Sequence, residues 1–228
     1  MRLKLNDLSH TALSLCEKDL ASTFYNRYTV RISRLKIFMN IHAYSTSRVN
    51  GPGNRFVLWT QGCSKGCPDC FNPGTWSVKE NISLTPYQIF ELIKNYDIDG
   101  VTITGGDPLE QEDILELLLL LSSLNLRKGI ILFTGFSIDE INKDFLLRKS
   151  LSYIDVLIDG RYEKEKRISS GLRGSENQNI LYFSDKIHPD ELSIDQEIEV
   201  GVACDKIYIT GFPNISRKVL KSLGVILK

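Results

Sequence analysis

Three cysteines within eight residues constrain this chain more than any other feature. Cys63-Ser64-Lys65-Gly66-Cys67-Pro68-Asp69-Cys70 has the spacing C-x3-C-x2-C, and three thiolates this close can wrap one metal centre. The run Arg55-Phe56-Val57-Leu58-Trp59-Thr60 before it reads as a strand entered through the turn Asn50-Gly51-Pro52-Gly53, and α/β folds hold ligand-binding loops at such strand ends. Gly62 and Gly66 permit a tight path, while Pro68 and Pro73 limit its freedom. A closed structural site, whether zinc or iron–sulfur, wants four protein ligands. His42 precedes the loop by 21 residues and His188 lies far downstream, so no fourth ligand follows at a sensible interval. An iron–sulfur cube held by Cys63, Cys67 and Cys70 alone leaves one iron open to an outside molecule, and that open position makes the site catalytic. The competing reading is an incomplete zinc knob.

The bulk numbers narrow the alternatives. A chain of 228 residues suits one domain with appendages or two small ones. Lys+Arg and Asp+Glu are equal at 28 each, so no global field argues for nucleic acid or a membrane surface. The longest apolar run, Ile114 to Leu121, contains Glu116 and falls far short of the about 20 residues a membrane span needs. No secretory signal pattern opens the chain, so the expectation is a cytoplasmic protein. Five cysteines, an odd number with three clustered, fit a reduced compartment better than a disulfide framework. Cys204 reads as a buried hydrophobe and Cys16 has no informative neighbours.

Residues 1–38 carry seven basic and three acidic side chains and form an expected N-terminal basic extension: a short helical extension, a basic surface arm, a poorly ordered segment or a stretch upstream of the true start. Met39 is the other methionine, so an internal start there is one reading. From Met39 the chain alternates strands and helices. Thr85-Pro86-Tyr87-Gln88 opens a helix with a capping box and Pro at the first position, burying Ile89, Phe90, Ile93 and Tyr96. Gly100 to Thr104 is a short buried strand, followed by a Leu-rich helix over about 109–124. Ile130 to Phe133 is the next strand, and Ser137-Ile138-Asp139-Glu140 is a second capping box opening a helix to about Leu147. Tyr153 to Ile158 is a further strand. Unalternating apolar strands in βαβα order predict an α/β fold with a parallel sheet flanked by helices. This core spans residues 39–185. Residues 186–228 form an expected C-terminal β/α extension, with antiparallel strands at Glu197–Val200 and Lys206–Thr210 and a last helix around 216–223.

A second element sits at the C-terminal end of the strand after the cysteine loop, Thr104-Gly105-Gly106-Asp107-Pro108. Paired glycines there expose backbone groups to a small polar ligand, and Asp107 is available to a cationic group. A strand-to-helix turn that needs glycine explains the same residues equally well.

Together the two elements resemble the radical S-adenosylmethionine superfamily. Cys63, Cys67 and Cys70 match its cluster motif, and Gly105-Gly106-Asp107-Pro108 looks like its Gly-Gly-Glu motif with Asp for Glu. The finer resemblance is to the glycyl-radical-enzyme activases of anaerobic ribonucleoside-triphosphate reductase. It is carried by Val49 to Arg55, the cysteine loop through Phe71-Asn72-Pro73-Gly74-Thr75-Trp76, Ile154 to Gly160, and Arg173-Gly174-Ser175-Glu176-Asn177-Gln178. It covers about residues 39–183 and implies a partial (βα) barrel of the radical SAM type, a [4Fe-4S] cluster and S-adenosylmethionine.

The same resemblance implies roles and partners. The methionyl amine and carboxylate would chelate the open iron, Asp69 and Phe71 beside Cys70 would lie along the cofactor, and Gly105 and Gly106 would receive the amine with Asp107 in support. The partner would be a large glycyl-radical enzyme, with flavodoxin or ferredoxin as electron donor. Asp155 and Asp159 are either site residues or groups solvating a turn and strand edge, Arg173, Asn177 and Gln178 either bond cofactor or partner backbone or satisfy their own loop's backbone, and Trp76 reads as packing under the loop. A radical enzyme acting on a small molecule or peptide, and a non-enzymatic zinc module, are the alternative functions.

Overall fold

The computed structural model describes residues 3–5, 38–193, 197–203, 206–211 and 225–227. The expected helix around 216–223, Cys16 and Cys204 lie outside them. In chain order the elements are β1 (Leu3–Leu5), β2 (Met39–Ser47), β3 (Arg55–Thr60), β4 (Ile82–Leu84), α1 (Pro86–Ile93), β5 (Gly100–Gly105), α2 (Ile114–Ser122), β6 (Ile130–Phe133), α3 (Ile138–Lys143), α4 (Phe145–Ser150), β7 (Val156–Asp159), β8 (Asn179–Tyr182), α5 (Pro189–Leu192), β9 (Ile198–Ala203), β10 (Lys206–Gly211) and β11 (Val225–Leu227). Seven strands form one sheet in the order β4-β2-β3-β5-β6-β7-β8.

The centre of that sheet is parallel, as the apolar runs predict: β3, β5, β6 and β7 pair in parallel register. The edges are not. β2 runs antiparallel to β3 and β4, and β8 antiparallel to β7, so the sheet is mixed. The pattern of β2 accounts for this, because its residues alternate between buried and half-buried, the signature of a strand with one covered face. A register shift between Ile41 and Ala43 then turns the strand over. Met39 and Ile41 join the main core, and Ala43 joins Val57 and Trp59 in a separate cluster.

That main core lies between the sheet and α1 to α4. Phe56, Leu58, Val101, Ile103, Leu132 and Leu157 face Ile89, Ile93, Leu117, Leu121 and Ile141. On the other face Ile131, Val156 and Ile158 pack with Leu172, Ile187 and Leu192. Both predicted capping boxes are present: Thr85 Oγ1 accepts from Gln88 N at 3.3 Å, and Ser137 Oγ accepts from Glu140 N at 3.2 Å.

Two predicted helices are shorter than expected, each for a side-chain reason. The helix foreseen over 109–124 is a 3-10 turn at Pro108–Glu110 and then α2, because Gln111 is extended. Its amide is drawn outward, accepting from Asn40 N at 2.9 Å and donating to Gln61 O at 3.0 Å. The helix foreseen from Ser137 to Leu147 breaks at Asp144, whose Oδ1 accepts from Leu146 N and Leu147 N and so starts α4. Leu151–Tyr153 is a 3-10 turn, and the strand foreseen from Tyr153 is Val156–Asp159.

At the N-terminal ends of the parallel strands lies a polar floor built on Arg55, a fully buried side chain. Its guanidinium donates to Thr102 Oγ1 and to the carbonyls of Pro52, Val101, Lys128 and Gly129. Strands β9 and β10 are antiparallel, as foreseen, and form a second sheet in the order β1-β9-β10-β11. This sheet meets the floor: Glu199 Oε1 accepts from Arg48 N and Asn50 Nδ2 donates to Thr210 Oγ1, both at 2.9 Å.

Candidate iron–sulfur centre

The opposite, C-terminal edge of the parallel strands gathers the chemistry. β3 ends into Gln61-Gly62-Cys63, β5 into Gly106-Asp107, β6 into Thr134-Gly135-Phe136, and β7 into Gly160. The cysteine loop leaves β3 and returns alongside itself. Gly62 N donates to Thr75 O at 2.7 Å and Cys63 N to Trp76 O at 3.2 Å. Between them Cys70 N bonds Cys67 O at 3.1 Å and Asn72 N reaches Cys70 Sγ at 3.4 Å. Gly66 and Asp69 both hold positive φ, 59° and 54°, within the segment that carries the three cysteines. Asp69 is the single non-glycine residue in that region among the described residues.

The glycine motif has a steric reason. A Cβ on Gly106 would lie 2.2 Å from Gly62 O, and one on Gly105 would lie 2.5 Å from Thr60 N. Their absence lets Gly106 N donate to Thr60 O and Asp107 N to Gly62 O, at 2.8 and 2.9 Å. The turn after β5 is thereby welded to the root of the cysteine loop. Asp107 completes the weld sideways: its carboxylate, 1% exposed, accepts from Thr134 Oγ1 at 2.8 Å, Gly135 N at 2.9 Å and Leu109 N at 3.1 Å. It acts on the site by holding three strand-end loops together.

Burial pushes the Asp107 carboxyl up to about 6, against the hydrogen bonds that hold it down. A folded-state value above the ordinary 3.8 means the fold binds this proton more tightly than the unfolded chain does. The Asp107 contribution is therefore full below that ordinary value and is lost as pH rises through about 6, a change of roughly 3 kcal/mol. Urea unfolding across that window should show the loss in the wild-type chain. Asp107→Asn should flatten it while lowering stability throughout, since an amide cannot accept all three bonds. An Asn variant with an unchanged pH profile would contradict the assignment.

The other expected site residues are distributed as follows. The Phe71 ring lies 4.9 Å from the Tyr162 ring, and the Arg167 guanidinium stands 4.9 Å over it. Asp69 extends outward to an ion pair with Lys164 at 2.6 Å. Segment 160–178 therefore lies across the loop, and Tyr162, Arg167 and Lys164 are contacts the sequence reading missed. Their only signal was position after a parallel strand. Asp159 Oδ atoms accept from Ile138 N, Asn179 N and Asn179 Nδ2, and Asp155 accepts from Ile130 N and Ser184 Oγ. Gln178 Oε1 accepts from Gly174 N and Ser175 N while its amide donates to Gly160 O. Arg173 donates to the carbonyls of Glu176 and Gln178. Arg173 and Gln178 thus satisfy their own loop's backbone, whereas Asp155 and Asp159 are buried and bonded within the fold, not solvated at a strand edge as the alternative reading had them. Asn177 donates to Arg161 O, but its Oδ1 is buried without a hydrogen bond, and so is Trp76 Nε1.

The donor type suits an iron–sulfur cluster: three free thiols on one strand-end loop. Cys63, Cys67 and Cys70 are free and half-buried on one loop. Burial pushes the Cys63 thiol up to about 11 and raises that of Cys67 as well. Neither is a ready nucleophile, and a metal that displaced the proton would find a thiolate donor there. Among the described residues no three His, Cys, Asp or Glu side chains are gathered to hold a single metal ion. His42, the nearest upstream candidate for a fourth ligand, has Nδ1 2.7 Å from Gln61 Oε1, and the Gln61 amide is fixed by the carbonyls of Gly74 and Ser77.

Comparison with known proteins agrees with this geometry. Residues 49–181 match the family model for a 4Fe-4S single cluster domain. The anaerobic ribonucleoside-triphosphate reductase-activating protein of Enterobacteria phage T4 is 37% identical over 151 residues, 63% of this chain and 94% of the phage protein. The chain belongs to that family of activating proteins. The relative from Pasteurella multocida is 36% identical over 153 residues, and that from Escherichia coli K12 is 32% identical over 155 residues. Those matches cover 97% and 99% of the relatives but 63% and 64% of this chain. What this member of the family adds is about a third of its length. No described helix is long and apolar enough to cross a membrane.

Proposed function

We propose that this chain is a radical S-adenosylmethionine activase that installs a glycyl radical in a large cytoplasmic partner, anaerobic ribonucleotide reductase. The observation that carries the reading is the weld between the cysteine loop and the Gly105-Gly106-Asp107 turn at one edge of the parallel strands. The root of the cysteine loop, at Gly62 and Cys63, is thereby fixed beside a glycine-lined backbone turn. Held there and reduced, a cluster would supply the electron for reductive cleavage of S-adenosylmethionine, and the 5′-deoxyadenosyl radical so released would take a hydrogen atom from the partner's glycine.

The chain's own residues bind, orient and shield. Cys63, Cys67 and Cys70 would hold the cluster, and the backbone at Gly105 and Gly106 would receive the methionyl amine. Asp107 keeps that turn in place through Thr134 and Gly135. Phe71, packed on Tyr162, offers its ring to the adenine, and Asp69 ties the loop to Lys164. The seven-stranded sheet serves as a partial (βα) barrel over 39–185, and the segment across its mouth excludes water. Flavodoxin or ferredoxin is the electron donor.

Anaerobic incubation of the reconstituted chain with reductant, S-adenosylmethionine and the reductase large subunit tests the reading. A glycine-centred paramagnetic doublet on the large subunit is expected. Cofactor cleavage with no radical on that subunit would replace it with the small-molecule or peptide reading.

A further inference from the structure

The ammonium of Lys65, between the first two cysteines, is not in water. Its Nζ stands 3.2 Å from the centroid of the Phe136 ring and 3.4 Å from Glu110 Oε1, and the side chain is 9% exposed. Glu110 is itself aimed by the loop, accepting from Ser64 N at 2.9 Å and Ser64 Oγ at 2.6 Å. The lysine stem crosses Gly135, where a Cβ would lie 2.8 Å from Lys65 Cγ and 3.4 Å from Asp107 Oδ2. Residues from three strand-end loops thus build an aromatic and acidic seat for a cation, beside the glycine turn and Cys63.

An ammonium is a poor long-term tenant for such a seat. It is compact and strongly hydrated, and its flexible stem loses rotamer freedom when pinned. A ring face bounded by carboxylates suits a softer, weakly hydrated cation better. The functional reading above, on which this inference rests, brings one to the same edge of the sheet: the sulfonium of S-adenosylmethionine. We propose that Lys65 is a stand-in cation that occupies this seat until the sulfonium takes it, and that cofactor binding requires the lysine to swing out. Lys65 then regains its hydration while the sulfonium gains the Phe136 face and the field of Glu110 and Asp107. The exchange moves one positive charge in and one out, so the acidic seat is never left uncompensated.

Equilibrium dialysis of S-adenosylmethionine and of its uncharged thioether, S-adenosylhomocysteine, against the anaerobically reconstituted full chain tests this. Lys65→Met and Lys65→Gln should tighten both ligands by about three- to tenfold, because no lysine has to be moved out first. Adding Phe136→Leu to Lys65→Met should weaken S-adenosylmethionine by a similar factor and leave the thioether unchanged. Iron and sulfide content, measured for every variant, should match wild type. Weaker or unchanged binding of S-adenosylmethionine in both lysine variants would overturn the proposal, as would equal weakening of both ligands by Phe136→Leu or loss of the cluster in both lysine variants. Wild-type protein that binds neither ligand would refute the functional reading itself, and the inference with it.

Discussion

Cys67→Ala is expected to strip the chain of iron and sulfide, from about four of each to near zero, while leaving the sheet folded. The two halves of that result have separate causes. A cube held by three thiolates has no spare protein ligand, so losing one leaves two anchors on a loop that must span several irons. The fold does not depend on Cys67, which is half-buried on a loop outside the hydrophobic clusters. The loop's own path is fixed at its root by Gly62, Cys63, Thr75 and Trp76 through backbone bonds that alanine at position 67 does not touch. Anaerobic metal and sulfide analysis with circular dichroism reads both halves at once. Full iron content in the variant would contradict the ligand assignment, and a collapsed spectrum would make the cysteine structural.

Arg55→Met carries the largest expected loss of stability, about 3–5 kcal/mol, or a fall in Tm of roughly 10 °C. The guanidinium is fully buried, and burial pulls its pKa down to about 9 against the fields of Asp155 and Asp99. It stays charged at neutral pH because five donors meet five acceptors, four of them backbone carbonyls at the ends of strands and turns. A methionine of similar reach removes all five bonds, leaves Gly129 O with Val101 N alone, and takes the buried cation out of the field of Asp155 and Asp99. Arg55→Lys should recover only part of the loss, because one ammonium has three donors and no planar fork to reach across the floor. Urea unfolding of both variants measures this. A lysine variant as stable as wild type would show that charge alone, and not the fork, holds the floor.

The floor also explains one of the stretches that carry the family resemblance. Val49 to Arg55 lies at the end of the sheet away from the cysteines, so its role is to close the bottom of the strand layer. There Asn50 and Arg48 also receive the second sheet through Thr210 and Glu199. In the sequence this stretch reads as a turn before a strand, and nothing in its composition distinguishes a turn that lines a site from one that carries a buried arginine.

What was legible followed from local rules. The cysteine spacing, the two capping boxes, the apolar parallel strands and the antiparallel pair β9 and β10 are each encoded within a few neighbouring residues. What was hidden depends on partners distant in the chain. Gln111 looks like an ordinary helix residue until Asn40 and Gln61 draw its amide away. Asp144 sits inside a helical pattern, and its competing bonds to Leu146 N and Leu147 N decide for a break. Nothing local singles out Lys65, because Phe136 and Glu110 reach it only after three strands are aligned. Asp107 was legible as part of a strand-end turn, whereas its bonds to Thr134 and Gly135 required the neighbouring strand.

The account stands on one iron being left without a protein ligand. Electron paramagnetic resonance of the anaerobically reduced wild-type protein, recorded with and without S-adenosylmethionine, tests this most directly. A reduced-cluster signal whose shape shifts on addition of the cofactor is the predicted result. A signal indifferent to saturating cofactor, or a colourless protein holding zinc in place of iron and sulfide, would contradict it.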